Sequence, residues 1–396
     1  MRNTNAGCNA GFLRRLIYLI SKNTPNSKFI IHNLRLQAAL LCFAVLLGLV
    51  SGCTSTLTAE APTRTFIDSV GREVQIPAEI TKIAPSGPYA QVILYTFAPD
   101  MLLGLSEPFT RRQRQFIEEK YFDLPVYGRL YGGSGTFNLE EIIRTSPDII
   151  IDMGERMYGI SDDMDSIQSS TGIPAIFIEA TIGTMAEAYD MLGDILGMET
   201  QAAEMSGYIR GVMDFAEEVK NSIPFDERPS VLHSQGEYGT EVSGRGSVHS
   251  EALDFVGVIN AADIESMLAT GSDEVSMEQI IVWNPDIVVL APDSNFGEIY
   301  SDPLWAQVSA VQNRRVYEIP FGPYNWLGRP PSVQRVLGML WLGNLVYPEY
   351  YDFDMIEKTK EFYMLFFRYD LSGDEAHALL ANSTLIDRHH LGSVEK

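Results

Sequence analysis

The sequence predicts an α/β protein of two lobes, each built on a parallel sheet, joined by one long stiff helix and enclosing a ligand cleft. Three observations carry this. Short apolar strand segments alternate with helical segments of about ten residues, the pattern of parallel sheets covered on both faces. The phrases Ser146-Pro147-Asp148-Ile149-Ile150-Ile151-Asp152 and Asn284-Pro285-Asp286-Ile287-Val288-Val289-Leu290 mark equivalent points in two halves. Between them, residues 184–221 hold no proline, are bounded by Gly183 and Pro224, and place Met185, Ala188, Leu192, Ile195 and Leu196 at three- and four-residue spacing.

In order, the first half reads as a strand at 80–85, a helix at 89–97, a strand at 102–105, a helical turn at 139–144, and strands at 147–151 and 175–178. The connector follows over 184–221, with Gly197 the point where it would break if it breaks. The second half repeats the order with a strand at 231–233, a helix at 250–256 ending at Gly257, a helix at 277–282, and strands at 287–290 and 315–319. Pro330-Pro331 opens a helix over 332–345, since a proline at a helix start removes only an N–H that would lack a partner there. A Tyr- and Phe-rich amphipathic stretch at 355–367 is expected to pack back onto the body.

The N-terminus has a different character. Residues 36–50 are apolar-biased, Arg35 precedes them, and Val50-Ser51-Gly52-Cys53 ends the run. Such a run is short for a permanent membrane span but suits a signal-peptide core. The small residues before Cys53 resemble a bacterial lipobox, with Cys53 the lipidated residue and 54–64 a flexible tether. Residues 1–34 lie upstream of a signal that is complete from about Leu34, which reads as a start codon placed too early, or else as a long basic n-region. Residues 1–52 hold six basic and no acidic residues, so removing them takes the formal charge from −23 to −29. So acidic a body repels nucleic acid and anionic lipid. Cys8 and Cys42 leave with the signal, which leaves no disulfide framework and no cysteine metal site.

The segment from Phe66-Ile67-Asp68 to Ile76-Pro77, followed by Lys82-Ile83-Ala84-Pro85, resembles the iron-chelate and vitamin B12 family of ABC-importer substrate-binding proteins. Asn138-Leu139-Glu140-Glu141-Ile142, Val242-Ser243-Gly244-Arg245-Gly246-Ser247 and Leu253-Asp254-Phe255-Val256-Gly257 agree with it, over about residues 65–345. The resemblance implies two Rossmann-like lobes, 65–183 and 224–345, around a connecting helix at 184–223, with a helical C-terminal extension at 346–396. It also implies no catalysis, no cofactor, a monomer, and an ABC permease with its ATPase subunits as partners. The ligand would be an iron chelate, haem or corrinoid. In this family one acid on each lobe rim docks on the permease; Glu140 and Asp254 match those positions, Asp254 with a shorter reach than the Glu often found there.

Ligands of open α/β sheets bind at the carboxyl ends of the strands. That rule nominates Ser86, Gly87, Pro88 and Tyr89 after the first strand, Arg129 and Tyr131 in the glycine-rich loop 128–135, and the nearby turn Met153-Gly154-Glu155-Arg156. In the second half it nominates Glu237 and Tyr238, and Tyr324, Trp326 and Arg329 after the last strand; Arg245 joins them from its glycine-rich loop. Aromatic faces suit flat chelates and arginine pairs with carboxylate or phenolate oxygens, although Trp326 would equally serve as a core plug and Arg329 as a cap on Pro330-Pro331. Arg111 and Arg112 are further candidates for an anionic chelate. Five histidines follow Cys53, namely His233, His249, His377, His389 and His390, and none falls in a first-half loop, so a three-histidine cleft site is not available. His233 reads as a core residue. An oxyanion such as molybdate or tungstate, and a small-chelator complex such as nickel completed by one histidine, remain open as ligands, as does a non-transport receptor role. No Gly-x-Ser-x-Gly, Walker A, His-Glu-x-x-His or Gly-x-Gly-x-x-Gly signature is present.

Overall fold

The computed structural model describes residues 62–131, 137–265, 272–292 and 294–384, together with Tyr18. The chain divides into two units, Met1–Ala61 and Pro62–Lys396, and apart from Tyr18 every described residue belongs to the second. The apolar run 36–50, Cys53, Gly132–Gly135 of the glycine-rich loop, His389 and His390 lie outside the described residues. Among the described residues no helix is long and apolar enough to cross a membrane.

An antiparallel hairpin opens the body, β1 (Thr63–Ile67) with β2 (Glu73–Pro77). It begins inside the segment expected to be a tether. Its turn is held by the Asp68 carboxylate, which accepts from the Val70 and Arg72 amides and pairs with the Arg72 guanidinium at 2.8 Å. β3 (Ile83–Pro85), β4 (Ile149–Gly154) and β5 (Ala175–Glu179) then form a parallel sheet in that order. β4 is buried along its whole length, as its unbroken apolar run requires when helices cover both faces. Helix α1 (Pro88–Phe97) follows β3, α2 (Leu139–Thr145) precedes β4, and α3 (Ile160–Thr171) leads into β5. The strand expected at 102–105 is reduced to two isolated bridges, Ile83 with Leu102 and Leu105 with Val126. Between them, a Cβ on Gly104 would collide with the Tyr127 ring, which crosses the strand's surface there.

The connector departs from the single helix expected. It is a helical hairpin, α4 (Met185–Leu196) and α5 (Glu199–Ser222), broken at Gly197, whose φ of +67° is the left-handed conformation of a helix C-cap. Gly193 packs against Ala202, while the Arg210 guanidinium pairs with Asp190 and lies 3.6 Å from Glu187, so the two helices run antiparallel. The 24 residues of α5 reach about 36 Å, and it is this second helix that carries the chain to the next sheet.

The second sheet has a parallel centre, β11 (Val316–Glu318), β10 (Ile287–Leu290) and β6 (Ser230–Gln235). It is not wholly parallel as expected: β7 (Glu241–Val242) and β9 (Asp273–Glu274) continue it antiparallel, and β8 (Ile259–Asn260) pairs beside the start of β6. α6 (Glu251–Val256), α7 (Met277–Trp283), α8 (Phe296–Ile299) and α9 (Ser309–Gln312) complete this half. Helix α10 (Gln334–Val346) is buried at all but one position and packs on α5, α6 and the next helix, α11 (Met355–Phe362).

The C-terminal extension packs on both halves. α11 runs into a π-helical turn, Tyr363–Phe367, and α12 (Gly373–Leu380) starts at a Ser372/Glu375 capping box. Phe366 lies edge-on to Tyr189 of α4 at 5.8 Å and to Tyr208 of α5 at 5.7 Å. The Arg368 guanidinium donates to the Thr96 and Phe97 carbonyls at the end of α1, both at 2.9 Å. Farther on, the Asn382 carbonyl accepts from the Glu318 amide of β11 at 3.0 Å, and the Ser383 carbonyl accepts from the Trp341 indole of α10 at 2.7 Å.

Candidate ligand-binding cleft

A cavity of about 340 Å³ opens between the carboxyl ends of β3, β4 and β5 and the segments that lead into α6 and α10. One wall is Ser86-Gly87-Pro88-Tyr89, where β3 turns into α1: Gly87 is the extended N-cap and Pro88 the first helical residue. Arg129 and Tyr131 form a second edge. Asp152, Gly154, Glu155 and Met157, at the end of β4, make the floor with Phe177 of β5. Val248, His249, Pro330 and Pro331 face them from the second half.

The polar groups are tightly partnered. The Ser86 hydroxyl donates to the Asp152 carboxyl, which is 4% exposed. Burial drives the Asp152 pKa up to about 7, against the opposing hydrogen bonds of Ser86 and the Met153 amide. The Tyr131 hydroxyl donates to Asp163 at 2.7 Å, and Arg129 is ion-paired with Glu107. Glu155 is pushed above the ordinary carboxylate range by partial burial, with the charge of Glu251 adding to it.

Beneath the cleft lies Arg335 of α10, fully buried. Its guanidinium donates to Glu251 of α6 at 2.6 Å, to the Val248 carbonyl at 3.0 Å, and to the Tyr89 hydroxyl of the first half at 3.1 Å. Tyr89 in turn donates to the Ala180 carbonyl, and burial raises its pKa to about 12. The Ile182 amide donates to Glu251 at 3.3 Å, so this pair, buried at its arginine and half-buried at its glutamate, binds the two halves from both sides. His233 of β6 supports the His249 loop: its Nδ1–H donates to the His249 carbonyl at 3.2 Å. Its Nε2 is buried without a partner, and desolvation lowers its pKa to about 3, so the ring is neutral.

Of the residues nominated from the sequence, Arg156 is exposed and bonded to the Ser69 carbonyl and Glu179, whereas Met153, Gly154 and Glu155 of its turn and Ser86, Gly87, Pro88, Tyr89, Arg129 and Tyr131 come together in this cavity. The second-half nominations do not. Trp326 is 0% exposed in the main core, its carbonyl pressed so close to Gly338 of α10 that no Cβ would fit there. Tyr324 is buried with its ring against Phe367 at 6.4 Å. These two are core residues rather than ligand contacts, because α10 and the extension cover the loop they occupy. Arg329 is exposed and does not line the cleft. Glu237 and Tyr238 line a separate cavity of about 220 Å³ beside Asp302 and Trp305. Arg245 is paired with Asp263 on the surface, and Arg112 stacks on Phe321 at 4.3 Å in another cavity. Asp152, His249 and Arg335 were not nominated; the first ends an apolar run and the last sits in an apolar helix, contexts that read as core. Glu140 is exposed in the first turn of α2 and Asp254 on the open face of α6. Among the described residues no group of three or more His, Cys, Asp or Glu could hold a metal ion.

A family model described as periplasmic binding protein matches residues 116–323. YvrC of Bacillus subtilis, an uncharacterized ABC transporter substrate-binding lipoprotein, is 22% identical over 292 residues, 71% of this chain and 88% of that protein. An ABC transporter solute binding protein from Sulfurospirillum deleyianum superposes with a TM-score of 0.74 at 29% identity, covering 80% of this chain and 99% of its own. The molybdate-bound periplasmic protein MolA of Haemophilus influenzae shares the fold, with a TM-score of 0.63 at 17% identity over 78% of this chain and 99% of its own.

Proposed function

Because the chain belongs to the periplasmic binding protein family, and so is a substrate-binding protein of an ABC transporter, we propose that it is lipid-anchored through Cys53 outside the cytoplasm and captures a compact metal chelate for delivery to its permease. The observation that carries the ligand class is the cavity at the carboxyl ends of β3–β5, with two phenols, an imidazole and a guanidinium on its walls. Its volume, about 340 Å³, is at the small end of the roughly 300–1,000 Å³ of typical ligand pockets. An iron siderophore core or a nickel chelate fills such a space; haem or a corrinoid would project well beyond it. His249 is the group suited to complete a metal's coordination.

A second reading has one observation in its favour. The α1 N-terminus carries no side-chain cap and borders the cavity through Gly87, Pro88 and Tyr89, a setting that favours an oxyanion such as molybdate.

The test is calorimetric titration of the full chain with ferric siderophores, a nickel–histidine complex, haem, cobalamin and molybdate. Saturable one-to-one binding of a siderophore or nickel chelate at sub-micromolar concentration is expected. Binding of molybdate alone would establish the second reading; binding of cobalamin or haem alone would overturn the compact-chelate assignment. Cys53→Ala should release the chain from the membrane fraction, and a variant that stays there would sink the anchor.

A further inference from the structure

Taking the cleft reading as its premise, we propose that the ligand presents a cationic or donor-rich face to the cavity floor, where Asp152 and Glu155 receive it, and that the site discriminates against oxyanions. The hydrogen-bond inventory of the walls points this way. A hydroxyl or guanidinium can serve an anion only with a proton it has not already given away. Here Ser86 donates to Asp152, Tyr131 to Asp163, Tyr89 to the Ala180 carbonyl, and Arg129 to Glu107. What the three hydroxyls still offer a ligand is oxygen lone pairs, and the Arg129 guanidinium, though it keeps further N–H groups, has its charge answered by Glu107.

The charge inventory agrees. Asp152 and Glu155 line the floor, and neither forms an ion pair among the described residues. Guanidinium groups around the cleft are already matched, Arg129 by Glu107, Arg335 by Glu251 and Arg156, the residue after Glu155, by Glu179. Asp163, behind Tyr131, and Glu251 add negative potential to Asp152 and Glu155 respectively. Against this stand His249 on the rim and the α1 N-terminus, the latter equivalent to roughly half a positive charge. Two carboxyls facing that partial charge make the floor an acceptor of cations.

Linkage gives the sign of the pH dependence. Asp152 holds its proton up to about pH 7, and a cationic group beside it would favour the ionised form. Affinity for a cationic probe therefore rises as pH increases through that range, whereas an oxyanion would gain as pH falls.

The probes are ferrioxamine B, a ferric hydroxamate with a pendant ammonium, its N-acetylated neutral form, and molybdate, titrated into the full chain by calorimetry between about pH 6 and pH 8. The expected result is a preference of about tenfold or more for the ammonium form, growing with pH. In Asp152→Asn that ratio should fall toward one. The exposed Glu155→Gln, which leaves the core untouched, should reduce it in part. Equal affinities for the two ferrioxamines, an unchanged ratio in both variants, or molybdate bound more tightly than the ammonium form would each overturn the charge assignment. If no probe binds, the cleft reading itself fails, an outcome distinct from probes that bind regardless of charge.

Discussion

His233 shows how a single buried residue ties the site to stability. Its Nδ1–H is spent on the His249 carbonyl and its Nε2 has no partner, so protonation would bury an uncompensated charge, and the pKa lies near 3 rather than 6.5. In the unfolded chain the ring takes up its proton below about pH 6.5, where the folded protein refuses it. His233 therefore stabilises above that pH and loses its contribution as pH falls toward 3. Asp152 has the opposite sign: its raised pKa favours the fold at low pH and costs stability as pH rises from about 4 to about 7. Comparing wild type with His233→Gln isolates the first effect, because Asp152 is common to both. By urea unfolding, the wild-type advantage should shrink by about 2 kcal/mol between about pH 7.5 and pH 5; a constant difference would mean the ring is not held neutral. At this scale the sequence is legible only in part. The strand-end rule finds Ser86–Tyr89, Arg129 and Tyr131 because a parallel sheet leaves its loops on one edge. It misplaces Tyr324 and Trp326, since nothing local in Gly322-Pro323-Tyr324-Asn325-Trp326 reports that α10 will lie across them.

The elements followed the hydrophobic period closely: α1, α2, β5 and β10 fall where their apolar spacing puts them, because each needs only its own face covered. The connector required more, since α4 and α5 share one periodic pattern across Gly197 and only their tertiary contact separates a hairpin from a rod. Two glycines distinguish the local from the tertiary contribution. A Cβ at Gly197 meets nothing within 4 Å, but the φ of +67° remains unfavourable, so Gly197→Ala should cost about 1 kcal/mol. Gly193 has ordinary helical geometry, yet a Cβ there comes within 2.5 Å of Ala202, and Gly193→Ala should cost more, about 1–3 kcal/mol, by forcing the helices apart. Chemical denaturation of the two variants checks the order. If Gly197→Ala proves the more damaging, the turn rather than the α4–α5 contact holds the connector.

At the scale of the molecule, the two sheets are joined by more than the connector. The Arg335–Glu251 pair reaches Tyr89 and Ile182 from below the cleft, and the extension grips the end of α1 through Arg368 and the edge of β11 through Asn382. With fixed links on both sides, ligand binding has little freedom to swing one half against the other, and the permease must recognise the body by its rim. Glu140 suits such a contact, since it makes no ion pair among the described residues, while its neighbour Glu141 is held by Arg144 at the base of the same helix. Asp254 stands on α6, the helix whose Glu251 anchors Arg335, so its position is tied to the cleft wall. Two rim charges matter on so acidic a protein because docking on basic pockets depends on where charge is held, which governs orientation and encounter rate more than net affinity. The Glu140→Ala/Asp254→Ala double variant should therefore bind its chelate as wild type does and fail to support uptake of that chelate in cells. Higher salt should weaken the association of wild type with permease-containing membranes more than that of the double variant. Normal uptake by the double variant, at wild-type protein levels, would remove these two acids from the docking surface.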